Sequence, residues 1–385
     1  MAPSPSPPAP RTFLLAAVAS VAGLATFFAP AVTTAAAATP SVFVSPGGSD
    51  ANPCMKARPC RSFNRAYVRA GPGDIVQVAG GSYPGQRIYA TPMARGPRIL
   101  FRPAPGAAVT VESIRVTRGS YIEFRGFRVT TDTYNDPGAR RITYRWIKMR
   151  QFFIRGADYV SYVGSNVGPN VSNDGMNWIT AAYGTTNGAS HILLHRVRIH
   201  GFVKHNAGAH VDCIGIDDVN WLTIRRSRFW NCEHFALIFG KDLSSNRAAR
   251  NVLLENNFVD CCVSGFYSIG LGDVEGPMRI RFNSFTLGLG WLGGTVRRVI
   301  LSSNILANNS SANCPKAIWR NNVVASGSAC GGLRARTGFV RPPLNLHLRP
   351  GAPAINRGNR SSHPARDIDG QWRGSRPDAG ADEFR

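Results

Sequence analysis

The sequence predicts an all-β solenoid, one chain wound into stacked parallel coils. Short apolar strands recur around residues 211–216, 222–229, 236–240, 251–258 and 266–271, with turns between them. Repetition of this kind is the signature of stacked units that bury a shared core. The apolar residue closing each longer strand falls at Val129, Val167, Ile199, Phe229, Phe258, Phe285, Ile305 and Val323, at spacings that fall from 38 to 18 residues. A shortest period of about 20 residues suits three short strands per coil, stretched elsewhere by loops. Beyond residue 40 no long segment carries a 3.6-residue apolar period, and 40 Gly with 26 Pro fit a turn-rich β protein.

The residues just before those anchors are Arg128, Asn166, Arg198, Arg228, Asn257, Ser284, Asn304 and Asn322. Asparagine tolerates left-handed backbone and bonds neighbouring amides at tight turns. Stacked coils would set such side chains in a ladder. In this the chain resembles the right-handed parallel β-helix proteins of the pectate-lyase-like superfamily. The resemblance extends over nearly all of the chain beyond residue 40. It implies a single-stranded right-handed parallel β-helix with an N-terminal helical cap and a C-terminal capping segment. It implies no particular activity, because that fold hosts lyases, hydrolases, epimerases and non-catalytic proteins.

Taken in order, residues 1–38 read as a secretory signal peptide. Arg11 precedes an apolar run that ends at Pro30 and a small-residue tail, Thr34 to Ala38. An exported, extracellular protein is therefore expected, and no later segment approaches the ~20 apolar residues of a membrane span. Residues 39–345 are expected to form the β-helix. Its entry is a first strand, a short amphipathic helix over 62–70 and the strand 75–78, the helix covering apolar core and open strand edges. Residues 99–129 supply early coils, and loops at 130–142, 168–190, 241–250 and 286–296 gather on a flank. Residues 346–385 are expected to close the structure, their Asp residues serving as turn formers.

Export makes eight cysteines legible as disulfides. Cys54 and Cys60 flank a five-residue loop and are expected to pair, as are Cys314 and Cys330. If Ser264 stacks over His234 and His234 over His210, Cys232 falls beside Cys262, leaving Cys213 and Cys261. No CxxC or Cys/His spacing indicates a zinc site.

Lys and Arg total 45 against 22 acidic residues, giving a net charge of +23, and only Lys56, Lys148, Lys204, Lys241 and Lys316 are lysines. Guanidinium forks onto carboxylates and sulfates, so an exported solenoid this rich in Arg suits an acidic polysaccharide. A nucleic-acid partner is not expected, because no binding module is recognisable and the basic residues are scattered. The mature chain is expected to be a monomer.

Aligning the short strands sets residues 210–215 under 234–239, and 234–239 under 264–269. Side chains alternate between faces, which points Val211, Cys213, Phe235, Leu237 and Tyr267 inward. The same alternation points His210, Asp212, His234, Ser264 and Ser268 outward. Lys204, His210, Asp212 and His234 are the candidate catalytic set; His205, Arg226 and Lys241 are the candidate substrate-binding residues. Cleaving a polyuronate by β-elimination needs its carboxylate neutralised and the adjacent proton taken by a base. Lys204 or His210 could be that base, with Asp212 either orienting a histidine or holding Ca²⁺. Epimerisation would use the same proton chemistry. A polygalacturonase-like hydrolase would need two placed carboxylates; the chain offers Asn173-Asp174-Gly175 and Asp217-Asp218 but no Gly-His-Gly. A non-catalytic glycan-binding protein is the further alternative, with Trp178, Tyr183, Trp221 and Trp230 as contact residues.

Overall fold

The computed structural model describes residues 39–90, 95–172, 175–182, 187–240, 247–264 and 267–385. The expected signal segment, Lys241, Tyr183, Phe266 and the pair Asn173-Asp174 lie outside the described residues. Thr39–Arg385 forms one unit.

Among the described residues three parallel sheets run along the unit. The first has 12 strands, from Val42–Val44 to Ile318–Arg320; the second has 13, from Gly81–Tyr83 to Leu333–Arg334; the third has 9, from Gln86–Ile88 to Leu289–Trp291. Each coil visits the first, second and third sheet in turn and then climbs one step. The result is a right-handed parallel β-helix.

The coil is closed by alternation. In Ser120–Arg125 the inward residues Ile122 and Phe124 are buried while Tyr121, Glu123 and Arg125 stay half-exposed. Stacked pairing gathers Ile122, Ile142, Val160, Ile192, Leu222, Val252, Met278 and Val299 into one buried column. Each such side chain contributes about 1.5–3 kcal/mol on leaving water. Beside it an aromatic stack runs Phe63, Phe101, Phe124, Tyr144, Tyr162, with centroid separations of 5.2, 5.3, 5.3 and 4.7 Å. The two buried hydroxyls are satisfied: Tyr144 donates to Asn135 Oδ1 at 3.1 Å, and Tyr162 lies 2.7 Å from Thr133 Oγ1.

The expected ladder is present at the turn from the first to the second sheet, with members Asn257, Asn283, Asn304 and Asn322. Each Oδ1 accepts the backbone N–H of the preceding rung, at 2.9–3.0 Å. Each Nδ2 donates to a strand carbonyl, of Ile224, Leu254, Ile280 and Leu301 in turn. Ser165 and Ser227 extend the column with hydroxyls. Asn166 stands one residue outside it, paired to Lys148 and Arg198 on the outer face. Asn283, rather than Ser284, is the rung of its coil. The residue before each rung holds a left-handed turn: Arg226, Asn256, Phe282, Ser303 and Asn321 have φ of 53–58°.

Both ends are covered. The helix Phe63–Arg69 is capped by Ser62, whose Oγ accepts from Arg65 N–H at 3.1 Å. It seats Phe63 against Phe101 and Phe127. At the far end the 3-10 turn Ser311–Lys316 lies over the third sheet, Asn313 Nδ2 donating to Leu289 O at 3.3 Å. The C-terminal segment runs back along the flank of the later coils, over the turns between the first and second sheets. Its Ala352, Ala354, Ala379 and Ala381 form a second core with Phe258, Ile305 and Val323. Asp367 Oδ1 accepts three successive N–H groups, from Asp369, Gly370 and Gln371, the turn-forming role expected of this segment's acids.

Four disulfides join Cys54–Cys60, Cys213–Cys232, Cys261–Cys262 and Cys314–Cys330. The outer two pairs match expectation. Cys232 does not meet Cys262: it pairs with Cys213, and Cys262 with Cys261. The physical reason is register. Ile269 pairs with Leu237, an offset of 32 residues, so the strand after Cys262 enters later than the alignment on Ser264 supposed. Cys232 ends its second-sheet strand pointing inward and faces buried Cys213 across the corner. Among the described residues no helix is long and apolar enough to cross a membrane.

Candidate functional site

The outer face of the third sheet carries one continuous column. Register places Arg115, Tyr134, Phe153, Trp178, Gly215, Ile238, Gly270 and Gly290 side by side on successive coils. Tyr134 and Phe153 stack at 4.7 Å and 4°, with the Arg115 guanidinium 5.3 Å from the first ring and that of Arg155 4.7 Å from the second. The glycines leave room for neighbouring rings to lie flat. A Cβ on Gly215 would sit 2.7 Å from the Trp178 ring, and one on Gly270 would sit 3.1 Å from Phe235. The face is thus an aromatic platform rimmed by arginine, continued by a low floor.

The histidines stand where the second sheet hands the chain to this face. The strand Arg198–Lys204 ends in a loop that carries His205 and His210 and delivers Asp212 to the strand Ile214–Ile216. One coil on, Arg228–Cys232 leads through Glu233 and His234 to Leu237–Phe239. Ile214 pairs with Leu237, an offset of 23 residues rather than the 24 aligned on the histidines. His210 lies in the approach loop, outside that strand register, and its ring leans over His234 with centroids 4.4 Å apart and planes at 5°. His210 Nε2 lies 3.0 Å from Asp212 Oδ2. The other carboxylate oxygen accepts Phe235 N–H at 2.9 Å.

Asp212 departs from the expected outward orientation: it is fully buried. Burial raises its pKa, opposed by the facing His210, the Phe235 amide and His234. Ser268 is likewise buried rather than outward, and Tyr267 is 39% exposed rather than inward, the consequence of the 32-residue offset one coil later. Sequence reasoning missed Glu233. It is buried, its Oε1 lies 3.4 Å from Lys204 Nζ, and its Oε2 accepts Lys204 N–H at 3.4 Å. Its only signal was adjacency to His234.

The structure therefore forms two contact groups, Lys204 with Glu233 and His210 with Asp212 and His234, linked through the chain neighbours Glu233 and His234. His205 is exposed on the same loop, its N–H donating to Ser172 O at 3.1 Å. Arg226 is not part of the group: it occupies the left-handed turn beneath the C-terminal segment and donates to Ile368 O at 3.1 Å. Asp217 and Asp218 end the third-sheet strand, and Asp218, only 1% exposed, lines a cavity on the opposite flank. They do not form a facing carboxylate pair on the platform.

His210, Asp212 and His234 each offer a ligand atom, all within 4.8 Å of one another. Calcium takes roughly six to eight oxygens, and two imidazoles with one buried carboxylate do not fit it. Such a set suits a borderline ion such as zinc.

Fold and site define a parallel β-helix with an aromatic, arginine-rimmed outer face and a His-Asp pair at its edge. No family model and no curated protein matches the chain. Among solved structures it is similar to the pectate lyase Pel9A, 17% identical over 90% of this chain and 97% of that chain, TM-score 0.48. It is similar also to a rhamnogalacturonan lyase (12% identical, 79% and 91% covered, TM-score 0.40). A third is an alginate lyase from Paenibacillus sp. str. FPU-7 (13% identical, 76% and 97% covered, TM-score 0.41). At these identities the likeness is one of fold.

Proposed function

We propose that the chain is an exported, monomeric enzyme that lays an acidic polysaccharide across the outer face of the third sheet and cleaves it by β-elimination. The observation that carries this reading is the 3.0 Å approach of His210 Nε2 to a fully buried carboxylate of Asp212. With its proton on Nε2, toward the Asp212 oxygen that has no other hydrogen-bond partner, His210 keeps its lone pair on Nδ1. The His210 side chain is 57% exposed, so a substrate can reach that atom. Nδ1 takes the proton from the carbon bearing the uronate carboxyl group; the electron pair forms a double bond to the neighbouring carbon, whose bond to the glycosidic oxygen breaks. The departing oxygen takes a proton from solvent.

Lys204 suits the cation role better than the base role. Its Nζ lies 3.4 Å from the buried Glu233 carboxylate, an ion pair that already engages it as a donor beside the substrate face. It neutralises the uronate, which is what makes the adjacent proton acidic enough to remove. Asp212 and His234 are positioning residues, the first fixing the tautomer of His210 and the second supporting its ring. Trp178, lying over Gly215, offers a ring to a sugar, and the stacked pair Tyr134–Phe153 offers its edges beside it.

The test is to mix the purified mature chain with pectate, alginate and glycosaminoglycans and follow ultraviolet absorbance. Unsaturated product that depends on His210 and Asp212 supports elimination. New reducing ends without it would replace elimination by hydrolysis, and saturable binding without either would leave a glycan-binding protein.

A further inference from the structure

We infer that the flank between the third and first sheets, away from the histidines, is a second glycan-binding site that holds one sugar unit against a ring column. Tyr121, Arg141, Tyr159, His191, Trp221 and Asn251 occupy one position on six successive first-sheet strands, each with φ between 52° and 65°. Glycine or asparagine adopts that backbone at little cost, and a bulky side chain does not. Here the bulky residues build a stack. The Arg141 guanidinium lies 4.6 Å from the Tyr159 ring, Tyr159 and His191 are 4.2 Å apart at 11°, and His191 and Trp221 are 6.1 Å apart. Trp221, at the end of these ring contacts, is 53% exposed.

The neighbouring position on the same strands opens into a cavity of about 450 Å³, lined by Asp158, Ser190, Asp218, Asn220, Arg247 and Arg250 among others. Ser190 Oγ bonds the Asp158 carboxylate and lies 3.1 Å from His191 Nδ1, tying the cavity to the stack. The independent mark of a ligand is Asp218. Its side chain is buried, and Oδ2 has no hydrogen-bond partner. An unpaired buried carboxylate oxygen is costly, and a donor arriving through the cavity removes that cost.

The chemistry matches a sugar. A hydroxyl donates to Asp218 Oδ2, the apolar C–H face of the ring lies on Trp221, and Arg250, whose contact to the exposed Glu275 is a loose 3.8 Å, turns its guanidinium to a carboxylate. Coils climb by ~4.8 Å, about one sugar unit, so a chain held here runs along the stack. The choice of an acidic sugar rests on the function proposed above; the site itself does not.

The experiment uses the full mature chain carrying H210A, so that turnover does not consume the probe. It is titrated with tetra- and hexa-oligomers of galacturonate and of alginate, reading heat and tryptophan fluorescence. Trp221→Ala and Asp218→Asn are each expected to weaken hexamer binding by about tenfold or more, 1.4 kcal/mol per decade. Trp221→Phe, which keeps a ring, retains affinity to within a few fold. D218N is expected to hold the melting temperature, since Oδ2 makes no hydrogen bond that the change would break, and that separates a ligand role from a structural one. Hexamer binding unchanged in both W221A and D218N would overturn the site. Loss of turnover on every polyuronate together with intact Trp221-dependent binding would sink the elimination reading alone.

Discussion

The Asn ladder is where the fold can be tested most sharply, at Asn283→Ala. Asn283 is fully buried. Its Oδ1 accepts from Asn257 N–H at 3.0 Å and Asn257 Nδ2 at 2.9 Å; its own Nδ2 reaches Leu254 O and Arg281 O at 3.0 Å. Alanine leaves the Asn257 N–H buried with no acceptor, a cost of about 1–3 kcal/mol. The lost bonds to the two strand carbonyls add about 1 kcal/mol each. The expected destabilisation is therefore about 4 kcal/mol, a large share of the 5–15 kcal/mol that separates folded from unfolded domains. The matched control is Asn166→Ala, whose side chain lies on the half-exposed outer face and should change stability by less than about 0.5 kcal/mol. Urea unfolding followed by circular dichroism compares the two, with the denaturant slope checked for constancy. Equal losses for the two variants, or less than about 1 kcal/mol for N283A, would refute the hydrogen-bond reasoning.

Other outcomes are as definite. Removing the base, His210→Ala, should cut the elimination rate by about 10²–10⁴-fold; Asp212→Asn should cut kcat while leaving polysaccharide affinity unchanged, measured by product absorbance. Zinc ions should inhibit by occupying the His210–Asp212–His234 donor set, whereas a calcium chelator should leave the rate as it is. Trp178→Ala should raise KM several-fold with kcat retained, because the ring touches sugar rather than the reacting bond. The His347–Asp369 pair inside the C-terminal segment, at 2.8 Å, gives a pH signature. Its hydrogen bond to Asp369 raises the histidine pKa, and its hydrogen bond to His347 lowers that of the aspartate. The histidine contribution is complete below about 6.5 and lost as pH rises through the raised value; the aspartate contribution is present above about 3.8 and lost as pH falls. The segment should resist proteolysis best between those limits, and D369N should flatten the profile.

The coil architecture was legible because alternation and anchor spacing are local properties. Ile122 and Phe124 point inward for reasons readable in six residues. Register was not legible to the last residue. Anchor spacing puts Asn166 and Ser284 at rung positions, whereas the pairing of Lys148, Asn166 and Arg198 on the outer face and the bonds of Asn283 set both rungs one residue earlier, at Ser165 and Asn283. The same one- or two-residue error moved Cys262 beside Cys232 on paper. In the molecule the loop before Ile269 is longer, and each cysteine finds its partner on the near side of the corner.

The histidine stack survived that error for a physical reason. His210 sits in a loop, so its ring reaches His234 although the strands beyond are offset by 23 rather than 24 residues. Asp212 did not keep its expected orientation, because once the strand begins the pleat decides, and the carboxylate turns inward to meet Phe235 N–H. Arg226 was misread for the converse reason. A basic residue at a strand end looks available to an anionic ligand, yet the chain returns 142 residues later and lays Ile368 O against its Nε. Alternation assigns faces within a strand, loops keep their own geometry, and contacts made by a distant segment leave no local trace. The candidate site joins a readable loop to a strand whose inward turn places a buried carboxylate beside an exposed imidazole, and the proposed elimination rests on that contact.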